Sequence, residues 1–126
     1  ICKSTKEVVQ FMKQHPKVES VIYPFDESFL QYQLSKSQML DAGGLFTFIL
    51  KTKKRADIVK FCESLKHILI AVSWGGHESL ILPKCAGIKA NDFDENNPEH
   101  RYIRMYVGLE EAGYLIKDLE QAFQSI

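Results

Sequence analysis

The chain has 126 residues, 45% of them hydrophobic and 25% charged, and its sixteen basic and sixteen acidic side chains cancel to a formal net charge of zero. This is the balance of one soluble globular domain, large enough to bury about two thirds of the surface that its unfolded chain exposes. It excludes a disordered tail, a collagen-like rod and a disulfide scaffold, and the missing basic excess argues against a nucleic-acid binder or a polybasic membrane contact.

Ser4 and Glu7 form the Ser-x-x-Glu pattern of a capping box, and Val8, Phe11, Met12 and His15 recur at helical spacing. A first helix is therefore predicted to start near Ser4 and to stop at Pro16. Val18–Tyr23 reads as a strand closed by Pro24, and Asp26–Asp41 as a loop followed by a partial helix. Gly43 and Gly44 punctuate the chain before Leu45–Leu50, the clearest strand. Lys54–Leu65 is a helix with Ile58, Phe61, Cys62 and Leu65 on one face, Ile68–Val72 a buried strand, and Ser79–Leu82 a short extended piece. Asn91–Glu99 is an acidic, turn-rich loop, and His100–Val107 a strand. Gly108–Ile126 carries the last helix, with Leu115, Ile116, Leu119, Ala122, Phe123 and Ile126 on its buried stripe. The order predicts an α/β (α+β) fold, a small, mainly antiparallel sheet with helices on one face, in a single domain over residues 1–126.

No apolar stretch approaches the roughly 20 residues of a membrane span, and Ile1–Gln10 holds no signal-peptide core. The chain does not begin with Met and is expected to be part of something longer. Cys2, Cys62 and Cys85 are an odd number without a Cys-x-x-Cys; read as reduced and structural, they point to the cytosol.

The strand ending at Val107 has two unlike faces. Ile103, Met105 and Val107 point one way, suited to burial under helices, and Tyr102, Arg104 and Tyr106 the other. Arg104 is either a surface or interface arginine or a clamp for a carboxylate or phosphate, whose two oxygens match the planar guanidinium fork. Ser73-Trp74-Gly75-Gly76 follows a predicted buried strand; its glycine pair allows close approach of a ligand, and Ser73 could donate a hydrogen bond there. The plain alternative is a tight loop with a packed Trp. His15, His67, His77 and His100 have no metal-ligand spacing, although His77 lies beside the glycine pair. A Cys62–His67 nucleophilic pair is conceivable, but Cys62 falls on an apolar helix face. Glu110 and Glu111 are expected to cap the last helix, and Lys51–Arg55 to be a solvated turn.

Several of these segments resemble one known family in order along the chain. Ser73-Trp74-Gly75-Gly76-His77-Glu78-Ser79-Leu80 is similar to the Ser-x-Gly-Gly-x-Glu-Ser-Leu segment of the Cys/Met metabolism pyridoxal-phosphate enzymes. Ile103-Arg104-Met105-Tyr106-Val107-Gly108-Leu109-Glu110 resembles their Ile-Arg-x-x-Val-Gly-Leu-Glu. Leu115–Leu119 matches their Asp-Leu-Ile-x-Asp-Leu helix, with Tyr114 in place of the first Asp. His15–Val18 through Tyr23-Pro24, and Gly43–Phe48, also fit, so that the resemblance covers nearly the whole chain.

The resemblance implies the small C-terminal domain of a fold-type I pyridoxal-phosphate enzyme. An upstream large domain would carry the cofactor lysine in a Ser-x-Thr-Lys context, and Ser4-Thr5-Lys6 does not match that site. It implies that Arg104 clamps the substrate α-carboxylate and that Ser73 and the backbone of Trp74 line the substrate region, with no catalytic, cofactor-binding or metal residue in this chain. Pyridoxal phosphate is then expected in the longer protein and not in this chain, which by itself would be inactive. Expected partners are a sulfur amino-acid substrate, the large domain and further copies in a homotetramer, with no nucleic acid and no membrane. Trp74 in the Ser-Trp-Gly-Gly form resembles the cystathionine β-lyase branch. Two departures accompany it: Val72 replaces the Tyr of the β-lyase type or the Glu of many γ-type enzymes, and Tyr106 stands where a smaller residue or His is usual. Alternatives are another family member (cystathionine γ-lyase, γ-synthase or methionine γ-lyase), a free-standing amino-acid-binding regulatory module, or a homotypic structural domain.

Overall fold

A computed structural model describes residues 1–126. Helices α1 (Cys2–Gln14), α2 (Tyr32–Gln38), α3 (Arg55–Glu63) and α4 (Ala112–Phe123) are interspersed with strands β1 (Val18–Ile22), β2 (Leu45–Leu50), β3 (Leu69–Ile70), β4 (Leu80–Pro83) and β5 (Tyr102–Tyr106). The strands form one sheet in the order β1-β2-β5-β4-β3. All neighbours are antiparallel except β3 and β4. The expected mainly antiparallel sheet with helices on one face is what forms.

The alternation of side chains along each strand decides which face is covered. On β2, Phe46, Phe48 and Leu50 are buried, and register pairs Phe46 with Met105 and Phe48 with Ile103 on β5, and Met105 in turn with Ile81 on β4. Helix α1 lies on β1 and β2, α3 on β4, and α4 packs against both α1 and α3. Val8 and Met12 from α1, Ile58 and Phe61 from α3, and Leu115, Leu119 and Phe123 from α4 complete a core of 24 buried residues. Each such side chain stabilises the fold by about 1.5–3 kcal/mol through removal from water.

Three expectations need correction. Helix α1 begins at Cys2, so Ser4 lies inside its first turn and no capping box forms; the Thr5 hydroxyl instead donates to the Ile1 carbonyl at 2.8 Å. The run Ile68–Val72 is not a buried strand. Only Ile68 is buried; Leu69, Ile70 and Val72 are exposed, because the run forms the outer edge of the sheet and its two-residue strand pairs only with β4. An apolar run is equally compatible with a core or with an edge, and periodicity does not separate them. Finally, α4 starts at Ala112, and Glu110 is used elsewhere, as described below.

Asp118 explains the acidic position within the last helix. Its carboxylate accepts the backbone N–H groups of Lys66, His67 and Ile68 at 2.9, 2.8 and 3.0 Å and the Gln121 amide at 3.0 Å. Burial alone would raise its pKa, but these four donors outweigh it and hold the carboxyl below its ordinary value. The contact ties the α3–β3 connection to α4. No helix is long and apolar enough to cross a membrane.

Candidate functional site

The side of the sheet away from α1, α3 and α4 carries Ile22 from β1, Leu45, Thr47 and Ile49 from β2, Leu80 and Leu82 from β4, and Tyr102, Arg104 and Tyr106 from β5, as the register of the ladder requires. Arg104 stands between Thr47 and Leu82, and Tyr106 between Leu45 and Leu80. Arg104 is the one charged side chain in this set, is half-buried, and has no carboxylate partner within the chain. Its Nη2 donates to the backbone carbonyl of Val72. A guanidinium has five donors, so most of its capacity is left for an anion.

That contact brings together two groups that the sequence separates by about thirty residues. Val72 precedes Ser73, and the hydroxyl of exposed Ser73 makes no hydrogen bond of its own. Trp74 is 59% exposed, which excludes the ordinary packed Trp as the reading of this loop. Gly75 has φ +91°, in the left-handed region that only glycine enters without strain. The loop borders an apolar cleft of about 450 Å³ lined by Trp74, Gly75, Tyr106, Gly44, Met39 and Cys2, among others.

The loop is anchored by residues whose role was not visible beforehand. Ser79 is fully buried, its backbone N–H and hydroxyl donate to the two oxygens of Glu110 at 2.8 and 2.7 Å, and its hydroxyl accepts the Gly108 N–H at 2.9 Å. Leu109 N–H donates to the His77 carbonyl at 2.8 Å. Glu110 is therefore not a cap of α4. Burial would raise its pKa, but the Ser79 donors prevail and keep it below its ordinary value. A Cβ on Gly108 would collide with the His77 carbonyl oxygen and the Glu78 backbone, so only glycine allows the two segments to touch. The available signal was the pairing of Glu78-Ser79 and Gly108-Leu109-Glu110 as motifs in one chain; their contact is tertiary.

The other candidates do not assemble. Cys62 is buried and its thiol is pushed up to about 12 by desolvation, while His67 is exposed against the Tyr114 ring at 4.5 Å, so they form no nucleophilic pair. His77 is exposed and lies 3.2 Å from the Glu78 carboxylate. His15 stacks on Phe123 at 3.7 Å, and His100 accepts the Asp94 N–H. No group of three or more His, Cys, Asp or Glu is placed to hold a metal ion.

The same face can be tested against pyridoxal phosphate. That group needs an amine for its aldehyde and several donors for its phosphate. None of the strand side chains on this face is a lysine. The Lys84 ammonium, which lies over the Tyr102 ring, is paired with Glu99 at 3.5 Å. Among its strand side chains the face therefore offers one guanidinium to an anion and no amine to the cofactor aldehyde.

A family model described as Cys/Met metabolism PLP-dependent enzyme matches residues 2–124. The chain is 39% identical over 128 residues to the cystathionine gamma-lyase of Macaca fascicularis and, equally, to that of Homo sapiens, covering 98% of this chain and 31% of each relative. It is 35% identical over 133 residues to the L-methionine gamma-lyase of Treponema denticola, covering 99% of this chain and 32% of that relative. It thus spans about a third of the length of the curated relatives it matches.

Proposed function

The chain belongs to the Cys/Met metabolism pyridoxal-phosphate-dependent enzymes, and from that premise we propose that it is the substrate-carboxylate-binding part of a longer carbon–sulfur lyase acting on sulfur amino acids. Arg104 clamps the α-carboxylate, and Ser73 and the Trp74 backbone complete the contact. The observation that carries this reading is the half-buried guanidinium of Arg104, which has no acidic partner and stands against the loop bearing Ser73. The partial coverage of the relatives supports a longer protein, whose large domain brings the lysine and phosphate contacts absent from this face. Pyridoxal phosphate supplies the electron sink for bond breaking at the substrate Cα. What this chain supplies is orientation: a carboxylate held by a bidentate fork leaves one rotation about the Cα–carboxylate bond and so limits which Cα bond is presented.

For the direction of elimination, two observations compete. Ser73-Trp74-Gly75-Gly76 favours β-elimination from cystathionine, giving homocysteine, pyruvate and ammonia. The names of the relatives favour γ-elimination. The keto acid released from cystathionine by the full-length protein decides: pyruvate marks the first, 2-oxobutyrate the second.

The carboxylate assignment is tested by Arg104→Ala in the full-length protein. Truncating one partner of a partly desolvated bidentate pair costs about 2–5 kcal/mol, which is roughly 30-fold to several-thousand-fold in kcat/KM. Cofactor absorbance should persist, because its contacts lie outside this face. Arg104→Lys should recover only part of the loss, since a point charge does not reproduce the fork. Ser73→Ala should cost about 1 kcal/mol, the worth of one hydrogen bond. A kcat/KM for Arg104→Ala within about threefold of wild type would show a surface arginine and end the assignment.

A further inference from the structure

The proposed contact depends on where the Ser73–Gly76 loop sits, and between its anchored ends the loop has little to hold it. Its four residues are exposed, and no hydrogen bond within the chain involves Ser73, Trp74 or Gly75. Gly75 and Gly76 add backbone freedom that other residues would not allow. Left free, such a segment would have to be ordered each time a ligand bound, at a cost in conformational entropy.

The two ends of the loop are held by one face of one strand. Arg104 donates to the carbonyl of Val72, just before the loop, and Tyr106 donates its phenolic hydroxyl to the carbonyl of Gly76, its last residue, at 3.0 Å. Tyr106 is buried to 6% exposure, and its ring is placed by packing: a Cβ on Gly44 would come within 2.8 Å of the ring carbon Cε2. The ring is thus fixed from below by β2 and the Gly43-Gly44 turn, while the hydroxyl reaches the loop. A phenylalanine would satisfy the packing equally well and lacks only the donor.

We propose that Tyr106 is a positioning residue for carboxylate binding: its hydroxyl fixes the glycine end of the loop so that Ser73 is held beside the Arg104 guanidinium. This rests on the reading of Arg104 as the carboxylate clamp. The hydroxyl touches a loop carbonyl and no reacting atom, so its loss should weaken binding and leave the chemical step alone.

The test is Tyr106→Phe in the full-length protein, with cystathionine and with methionine as substrates. KM should rise about fivefold, the worth of one hydrogen bond, with kcat within about twofold. An unchanged KM overturns the proposal. So does a fall in kcat with KM intact, which would put Tyr106 in the chemical step or in general stability. Arg104→Ala run alongside separates the two readings. If it lowers kcat/KM while Tyr106→Phe leaves KM unmoved, only the positioning role fails. If it changes nothing, or if neither substrate is turned over, the carboxylate assignment fails and the positioning role with it.

Discussion

The two faces of β5 differ although they share five consecutive residues. On one, Ile103 and Met105 are wholly buried against helices; on the other, Tyr102 and Arg104 are half-exposed, and Arg104 and Tyr106 each donate to a backbone carbonyl about thirty residues away, at Val72 and Gly76. The first face gains stability by removing apolar area from water, a term indifferent to direction. The second also buries Tyr106 but leaves Tyr102 and Arg104 half-exposed, and it fixes the direction of a few donors. The difference shows how one strand serves both ends. The rigid, apolar side sets the position of the backbone, and the donors on the opposite side inherit that position without needing bulk of their own.

If that division is correct, truncation on the covered face should damage the fold and not the site. Phe48→Ala, at a fully buried position packed on Phe61 at 6.0 Å, should destabilise by about 3–5 kcal/mol, read by urea or thermal denaturation. A loss below about 1 kcal/mol would mean the covered face is loosely packed and the contrast is false.

Next in size is Asp118, which joins the core to a loop. Asp118→Ala leaves the N–H groups of Lys66, His67 and Ile68 without their acceptor and should cost about 1–3 kcal/mol. The same carboxylate gives a pH signature. Its pKa is lowered in the folded chain, as is that of Glu110, so the stability each contributes is fully present above the ordinary carboxylate range and is lost as pH falls through the lowered folded value. The denaturation midpoint should therefore fall on acidification below that range, and Asp118→Asn should flatten part of the decline. A midpoint that does not fall there in the wild type would remove Asp118 and Glu110 as charged anchors.

The smallest effect is expected at the sheet edge. Leu69→Ser should change stability by less than about 0.5 kcal/mol, because its side chain is already 56% exposed. A loss above about 1 kcal/mol in the same denaturation assay would show that Leu69 is buried in solution and would restore the buried strand that its composition suggests.

Much of this was legible from local pattern. Alternation placed Ile103, Met105 and Val107 inside and Arg104 outside, and helical spacing found the stripe of α4, because each depends only on side-chain direction within a few residues. The motif resemblance pointed to Arg104, Ser73 and Trp74 together and to a family that the matched residues 2–124 bear out. Local pattern failed where a neighbour far along the chain decides the outcome. Leu69, Ile70 and Val72 are as apolar as a core strand, yet they end at an edge because the order β1-β2-β5-β4-β3 leaves nothing beyond β3. Glu110 looked like a helix cap and became the acceptor for Ser79, thirty-one residues away.

Composition and periodicity, then, determined the class of fold, the covered and uncovered sides of β5 and the residue types able to hold a carboxylate, since these follow from the period of the backbone and the chemistry of single side chains. Tertiary structure alone decided the strand order, the edge position of β3, the join between Ser79 and Glu110, and the grip of Arg104 and Tyr106 on the two ends of the glycine loop. Those contacts join groups about thirty residues apart, and the free energy that brings them together comes from burying the whole helix-covered face, which no short window of sequence contains.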